Sequence, residues 1–129
     1  MISRLLVANR GEIARRVFAT CRRLGVSTVA VYTDPDADAP HVAEADVRVH
    51  LPGVRGYLDV DAILAAARTA GADAVHPGYG FLSENAEFAT AVTAAGLTWI
   101  GPPPEAVRAM GSKIESKKMM AAAGVPVLD

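Results

Sequence analysis

The sequence predicts an α/β fold: a Rossmann-like open, mainly parallel sheet with helices on both faces. Two observations carry this reading. First, one phrase of helix, glycine and short strand is written four times, at Leu24-Gly25-Val26, Ala70-Gly71-Ala72, Ala95-Gly96-Leu97 and Ala123-Gly124-Val125. A glycine just past a helix takes the left-handed conformation without a Cβ penalty, so each phrase reads as a helix stop followed by a strand. Second, the strand segments are short and apolar on both faces, which suits a parallel sheet covered by helices. Strands that alternate with helices then assemble into an open sheet.

The strands are expected at Leu5 to Ala8, Thr28 to Tyr32, Ala74 to His76 and Thr98 to Ile100. Val47-Arg48-Val49-His50-Leu51 alternates in polarity and belongs nearer an edge. The first helix gathers Ile13, Ala14, Val17, Phe18, Cys21 and Leu24 on one face, with Glu12, Arg15, Arg16, Arg22 and Arg23 mostly opposite. The second is expected to start at Asp59 as N-cap and to bury Val60, Ile63, Leu64 and Ala67. The third is expected to start at Ser83 and to bury Phe88, Ala91, Val92 and Ala95. A short helix follows Pro103-Pro104, and a last one opens on Ser112-Lys113-Ile114-Glu115, a capping box.

At 129 residues the chain is long enough for a core without disulfide or metal staples. A net charge of -1 gives no bulk basic signature, so neither nucleic acid nor a membrane surface is an expected partner. The one cysteine, Cys21, excludes an internal disulfide and fits a reducing compartment. The apolar stretch before Asn9-Arg10 is too short for a signal peptide, and no run reaches transmembrane length. The expected location is cytoplasmic.

Ligands of open α/β sheets sit beyond the C-terminal strand ends. Three loops therefore matter: Asn9 to Glu12, Thr33 to Pro40, and Pro77 to Asn85. The first lacks the glycines of G-x-G-x-x-G and carries the bulky Arg10. The fold is right for a dinucleotide and the loop is wrong, although Asp34 could mimic a ribose-binding acid. Gly11 eases the turn and Glu12 suits the positive helix end. Asp34-Pro35-Asp36-Ala37-Asp38 resembles the start of a calcium loop, but Ala39 and Ala45 stand where glycine and glutamate are needed. It reads as a solvated loop. His41, His50 and His76 have no metal-ligand spacing, and His76 reads first as a buried, hydrogen-bonded histidine.

In His76 to Asn85, two glycines flank Tyr79 in a strand-to-helix loop, where backbone can lie close to a ligand. An ordinary loop with Tyr79 or Phe81 folded onto the core fits the residues equally well. Ser83 is expected to cap the next helix, with Glu84 in its first turn. Lys113 and Lys117 share a helix face at i, i+4 spacing. A lysine in a helix's first turn is solvated or meets an incoming anion. The arginines of the first helix, with Arg10, read as a solvated face before a subunit interface.

Ala8-Asn9-Arg10-Gly11-Glu12-Ile13-Ala14 resembles the opening motif of biotin carboxylases, and His76 to Asn85 resembles their second hallmark. Ile100-Gly101-Pro102 and Met110-Gly111-Ser112-Lys113 resemble the third and fourth, in family order and at family-like spacing. The resemblance covers essentially the whole chain. It implies an N-terminal Rossmann-like domain at residues 1–110, then a helix and strand at 111–129 leading into an ATP-grasp domain. It implies an enzyme, a ligase that uses ATP and Mg2+ to activate bicarbonate to carboxyphosphate and carboxylate biotin on a carrier. A carboxyltransferase component then passes the group to an acyl-CoA or related acceptor.

By the same resemblance Lys113 matches the lysine that meets ATP phosphate, and Tyr79 and Gly80 match the loop on the biotin side. Glu84 and Asn85 take a supporting role. No catalytic residue and no metal ligand is expected within this stretch, because the metal-binding glutamates, the bicarbonate-binding pair and the adenine pocket lie further along in the family. The implied partners are a biotin carrier domain or protein, a carboxyltransferase subunit and, in the parent protein, a second copy. The basic Arg22-Arg23 departs from any family salt-bridge pattern on that helix. The chain by itself is expected to bind ATP weakly and to turn over nothing. The rival readings are the leading domain of another ATP-grasp ligase, a non-catalytic binding module and an NAD-binding domain.

Overall fold

The computed structural model describes residues 2–102. The elements run β1 (Arg4–Val7), α1 (Gly11–Leu24), β2 (Ser27–Tyr32), α2 (Pro40–Glu44), β3 (Val47–His50), α3 (Val60–Ala70), β4 (Ala74–His76), α4 (Ala86–Ala94) and β5 (Thr98–Trp99), with 3₁₀ turns at Asp34–Asp36 and Gly56–Leu58. All strand pairs are parallel, in the order β3-β2-β1-β4-β5. This is the order of a doubly wound sheet, whose switch point lies between β1 and β4. The alternating strand takes the edge, as its polarity requires. The expected elements after Pro103 lie outside the described residues.

Successive side chains of a strand face opposite sides, so each strand feeds two cores. Leu6, Val29, Val31 and Val75 pack with Ile63, Ala66 and Ala67 of α3 and Phe88 and Val92 of α4. Leu5, Val7, Ala30 and Ala74 pack with Ala14, Phe18 and Cys21 of α1. Helices therefore cover both faces. Phe88 meets Trp99 edge-on with ring centroids 5.5 Å apart, a favoured aromatic geometry. Left-handed Gly25 and Gly71 close α1 and α3 as expected. Asp59 caps α3 by accepting from the Ala62 amide at 3.0 Å.

Several expectations are corrected. The cap of α4 is Asn85, whose Oδ1 accepts from the Phe88 amide at 3.0 Å, and not Ser83. Ser83 and Glu84 precede the helix because the Ser83 amide donates to Gly80 and the Asn85 amide to Leu82, which turns the chain first. Ala89 is buried on α4, whereas Ala91 is half-buried and Ala95 is exposed past the helix end at Ala94. On α3, Val60 and Leu64 are half-buried while Ala66 and Ala70 are covered. Leu24 is 72% exposed, because the last turn of α1 forms the lip of an apolar groove with Leu5, Val17, Cys21, Val26 and Ile100. The Asp34–Asp38 segment is exposed as expected except at Asp36, which is buried.

The two edges of the sheet differ. On the N-terminal edge, the Asp73 carboxylate accepts from the amides of Ser3 and Arg4, and the Arg4 guanidinium donates to the Ala70 carbonyl at the end of α3. These bonds satisfy chain ends and carry no free chemistry. The C-terminal edge carries the three loops singled out above.

Candidate functional site

The site is built where β1 and β4 end side by side. After β1, the Ala8 amide still donates to the His76 carbonyl at 2.9 Å. Asn9 then leaves the sheet almost fully buried, at 1% exposure. Its Nδ2 donates to the carbonyls of Pro77 at 3.0 Å and Tyr79 at 2.6 Å, and its Oδ1 accepts from the Arg10 amide at 2.9 Å. One side chain from the first loop thus spans the switch point and holds the third loop. Gly78 makes this approach possible. It has φ +67°, and a Cβ there would lie 2.5 Å from the Asn9 Nδ2. Only a residue without a Cβ fits both demands.

Beyond this clamp the loop turns outward. His76 Nδ1 accepts from the Gly78 amide at 2.9 Å, and burial lowers the His76 pKa, so its ring is neutral. Tyr79 is 77% exposed and Gly80, at φ +70°, is exposed beside it. Neither Tyr79 nor Phe81 is folded into the core; Leu82 fills that place. Phe81 holds a left-handed φ of +47°. Its ring lies 5.2 Å from that of Tyr57, in the 3₁₀ turn before α3.

Tyr57 leads to the second support. Its hydroxyl donates to Asp36 Oδ2 at 2.6 Å. Arg10 donates to the same carboxylate through Nε at 2.5 Å and Nη2 at 2.6 Å, a two-pronged pair. The Arg10 hydrogen bond, helped by that of Tyr57, holds the Asp36 carboxyl down at about 2 against the cost of its burial. Burial, then the bond to Asp36, pushes the Tyr57 phenol up to about 12. Arg10 is therefore not part of a solvated helix face: it precedes α1 in extended backbone. His41 is fully buried beneath it. Its Nδ1 accepts from the Gly11 amide and its Nε2 faces the Val31 carbonyl, both at 3.4 Å.

These contacts settle what the described residues can hold. Asn9 bridges the switch-point crevice and Gly11 donates to His41, so the first turn offers no open cradle of amides for a pyrophosphate. Asp34 is exposed and bonded to His50 Nε2 at 2.6 Å. Among the described residues no group of three His, Cys, Asp or Glu side chains could hold a metal ion. What the edge does offer is an exposed aromatic and an exposed glycine backbone on a loop fixed from two sides.

Of the residues expected at the site, Tyr79, Gly80, Glu84 and Asn85 share this loop. Glu84 is exposed, and Asn85 is engaged in capping α4. Lys113 lies outside the described residues. Sequence reasoning missed Asp36, Tyr57 and His41 as a connected set. Their only sequence signal was the place of Asp36 in one of the three loops, with His41 just past its end.

The family model of the biotin carboxylase N-terminal domain matches residues 1–107. The chain is 57% identical to the methylcrotonoyl-CoA carboxylase alpha subunit of Oryza sativa, covering 98% of this chain and 18% of that protein. It is 50% identical to the biotin carboxylase of Halalkalibacterium halodurans, covering 99% of this chain and 29% of that protein. A solved single-chain long-chain acyl-CoA carboxylase superimposes with a TM-score of 0.85 at 51% identity, over 98% of this chain and 13% of that one. The pyruvate carboxylase of Rhizobium etli gives 0.85 at 40% identity, over 98% and 13%. The chain spans less than a third of the length of these relatives. With the fold, both hallmark loops and a match across residues 1–107 in agreement, the chain belongs to the biotin carboxylase N-terminal domain family.

Proposed function

We propose that this chain forms one wall of the active site of an ATP-dependent biotin carboxylase, working within an acyl-CoA carboxylase. The observation that carries the reading is the loop of residues 77–85. It is clamped to the switch point by Asn9, and it turns Tyr79 and Gly80 outward where a flat heterocycle can lie against them. The acyl-CoA assignment rests on identity: 57% and 51% to acyl-CoA carboxylases against 40% to a pyruvate carboxylase. In this reading ATP, with Mg2+, supplies the energy that activates bicarbonate for transfer to carrier-linked biotin. The phosphate and metal ligands are held, in this reading, by the segment beginning near residue 110 and by an ATP-grasp domain. Lys113 is the residue we assign to ATP phosphate. Tyr79 and Gly80 bound the biotin side, and Glu84 supports the loop. The partners are a biotin carrier and a carboxyltransferase subunit, with a second copy of the parent chain. The buried thiol of Cys21 suits a reducing, cytoplasmic setting.

The test is bicarbonate-dependent ADP release by the intact parent chain, with and without free biotin, beside a Lys113→Ala variant. Stimulation by biotin and a raised apparent KM for ATP in the variant are expected. A folded, ATP-binding parent that ignores biotin would belong to another ATP-grasp ligase, and the roles of Tyr79 and Gly80 would fall first.

A further inference from the structure

We infer that Asn9 is a positioning residue for the biotin-side loop: its amide fixes where Tyr79 and Gly80 stand, and so sets how well biotin is engaged. The inference rests on the functional reading above and deepens it. A buried asparagine has two amide protons and a carbonyl to satisfy. In Asn9 both donated bonds go to one loop, at Pro77 and Tyr79, while the carbonyl is used within its own turn by Arg10. The two accepting carbonyls belong to the residues on either side of Gly78, so the clamp fixes the Pro77–Gly78 and Tyr79–Gly80 peptide planes. The plane that follows Tyr79 leads directly into Gly80. A loop bonded at only one point could pivot about it; two bonds from one rigid planar amide remove that freedom.

Among the described side chains, the hydrogen bonding that holds Tyr79 is left to Asn9. His76 reaches the loop only at the Gly78 amide, before Tyr79. On the far side Phe81 rests against Tyr57 through ring contact alone. Tyr79 is exposed, and no described side chain other than Asn9 bonds its backbone carbonyl. A displacement of about 1 Å at groups that bind a reacting partner costs on the order of a hundredfold in rate. A loop that carries binding groups on an exposed turn therefore needs such an anchor.

The experiment uses the intact parent enzyme with the substitution Asn9→Asp. Aspartate keeps the shape and the acceptor for the Arg10 amide, and it loses both donors to the loop. Two things are measured: amide hydrogen exchange of a peptide spanning residues 77–85, and the kinetics of ADP release with biotin and with ATP varied. The expected result is faster exchange in that peptide with α3 unchanged, and an apparent KM for biotin raised at least about tenfold, since the hydrogen-bonded contact is lost and an aspartate oxygen is set against the Pro77 and Tyr79 carbonyls. The apparent KM for ATP should stay within about twofold. Gly78→Ala approaches the same contact from the loop side and should reproduce the pattern; it serves as the reading if Asn9→Asp does not fold. Unchanged exchange in the loop overturns the inference. So does faster exchange with an unchanged KM for biotin, or equal rises in KM for biotin and ATP. If the unsubstituted parent shows no biotin dependence, the functional reading itself fails, and that outcome is separate because it is seen without any substitution.

Discussion

Arg10 and Asp36 meet as a two-pronged ion pair at 2.5 and 2.6 Å, joining the loop after β1 to the loop after β2. The carboxylate is buried and the guanidinium is half exposed, and Tyr57 completes the acceptor set from a third segment. The pair fixes the start of α1 relative to the turn before α3, and through Tyr57 it supports Phe81. Removing the carboxylate leaves a phenol and a guanidinium short of an acceptor. Because Arg10 can turn to water, the loss is moderated. Asp36→Ala should cost about 2 kcal/mol in urea unfolding at neutral pH, the range for hydrogen bonds to a charged group.

The same pair makes an acid limb of stability. The folded pKa of Asp36 is about 2, below its ordinary 3.8, chiefly through the Arg10 bond. The unfolded chain therefore binds the proton first as pH falls. The contribution is complete above about pH 4 and is lost as pH falls through about 2. The gap between wild type and Asp36→Ala should narrow across that window. A gap that stays constant from neutral pH down to about pH 2 would show that the carboxylate's charge is not what holds the loops together.

His41 gives a second window, nearer neutrality. Burial is the main cause of its lowered pKa, partly opposed by the hydrogen bond to Val31. The neutral ring, with its proton on Nε2 toward the Val31 carbonyl, accepts from Gly11 at the start of α1; protonating Nδ1 would set two donors face to face. The unfolded chain takes up the proton at about 6.5, so stability is complete above that pH and falls below it. His76, also lowered by burial, acts in the same direction. Thermal midpoints measured from about pH 7.5 to pH 5.5 should decline in the wild type and decline less in His41→Gln. Identical slopes would assign the whole effect to His76 and refute a role for His41.

The fold was legible because its signals are local. The glycine stops, the short apolar strands and the alternating β3 each follow from a few neighbouring residues, and among the described residues the structure keeps all three; the stop at Gly124 lies outside them. Boundaries slipped where a local rule had two candidates. Ser83 and Asn85 are both good N-caps, and only the turn made by the Gly80 and Leu82 carbonyls decides for Asn85. The site was legible as three loops but not as a network. Asp36 reads as solvent-facing in a run of aspartates, and nothing nearby in sequence announces that Arg10 and Tyr57, 26 and 21 residues away, converge on it. The groove beside Leu24 was invisible for the same reason: helical periodicity places Leu24 on the apolar face, but only the sheet decides how far that face is covered.

Gly56 offers a test of close packing beneath this network. It opens the 3₁₀ turn that presents Tyr57, at φ +51°, and a Cβ there would lie 2.7 Å from the Thr33 Cγ2. Gly56→Ala meets both a backbone and a steric penalty, and should cost about 2 kcal/mol. Adding Thr33→Ser removes the methyl and leaves only the backbone part, so the double variant should recover about half the loss. Strict additivity of the two changes in urea unfolding would mean that the methyl contact is not felt.

Asn85 separates a capping role from a ligand-binding one. Its carboxamide oxygen accepts from the Phe88 amide, one of the unpaired donors at the start of α4, and Phe88 anchors the core on that face. Loss of such a cap costs about 1 kcal/mol, and aspartate or serine retains it. Asn85→Ala should therefore lower stability by about that amount, while Asn85→Asp and Ser83→Ala stay within about 0.5 kcal/mol of the wild type. If the proposed function holds, Asn85→Asp in the intact parent chain should leave the apparent KM for biotin unchanged, because the cap and hence the loop are preserved. If Asn85→Asp is fully stable yet impairs biotin use, the carboxamide nitrogen meets the substrate directly, and Asn85 belongs to the binding surface beside Tyr79 rather than to the frame that supports it.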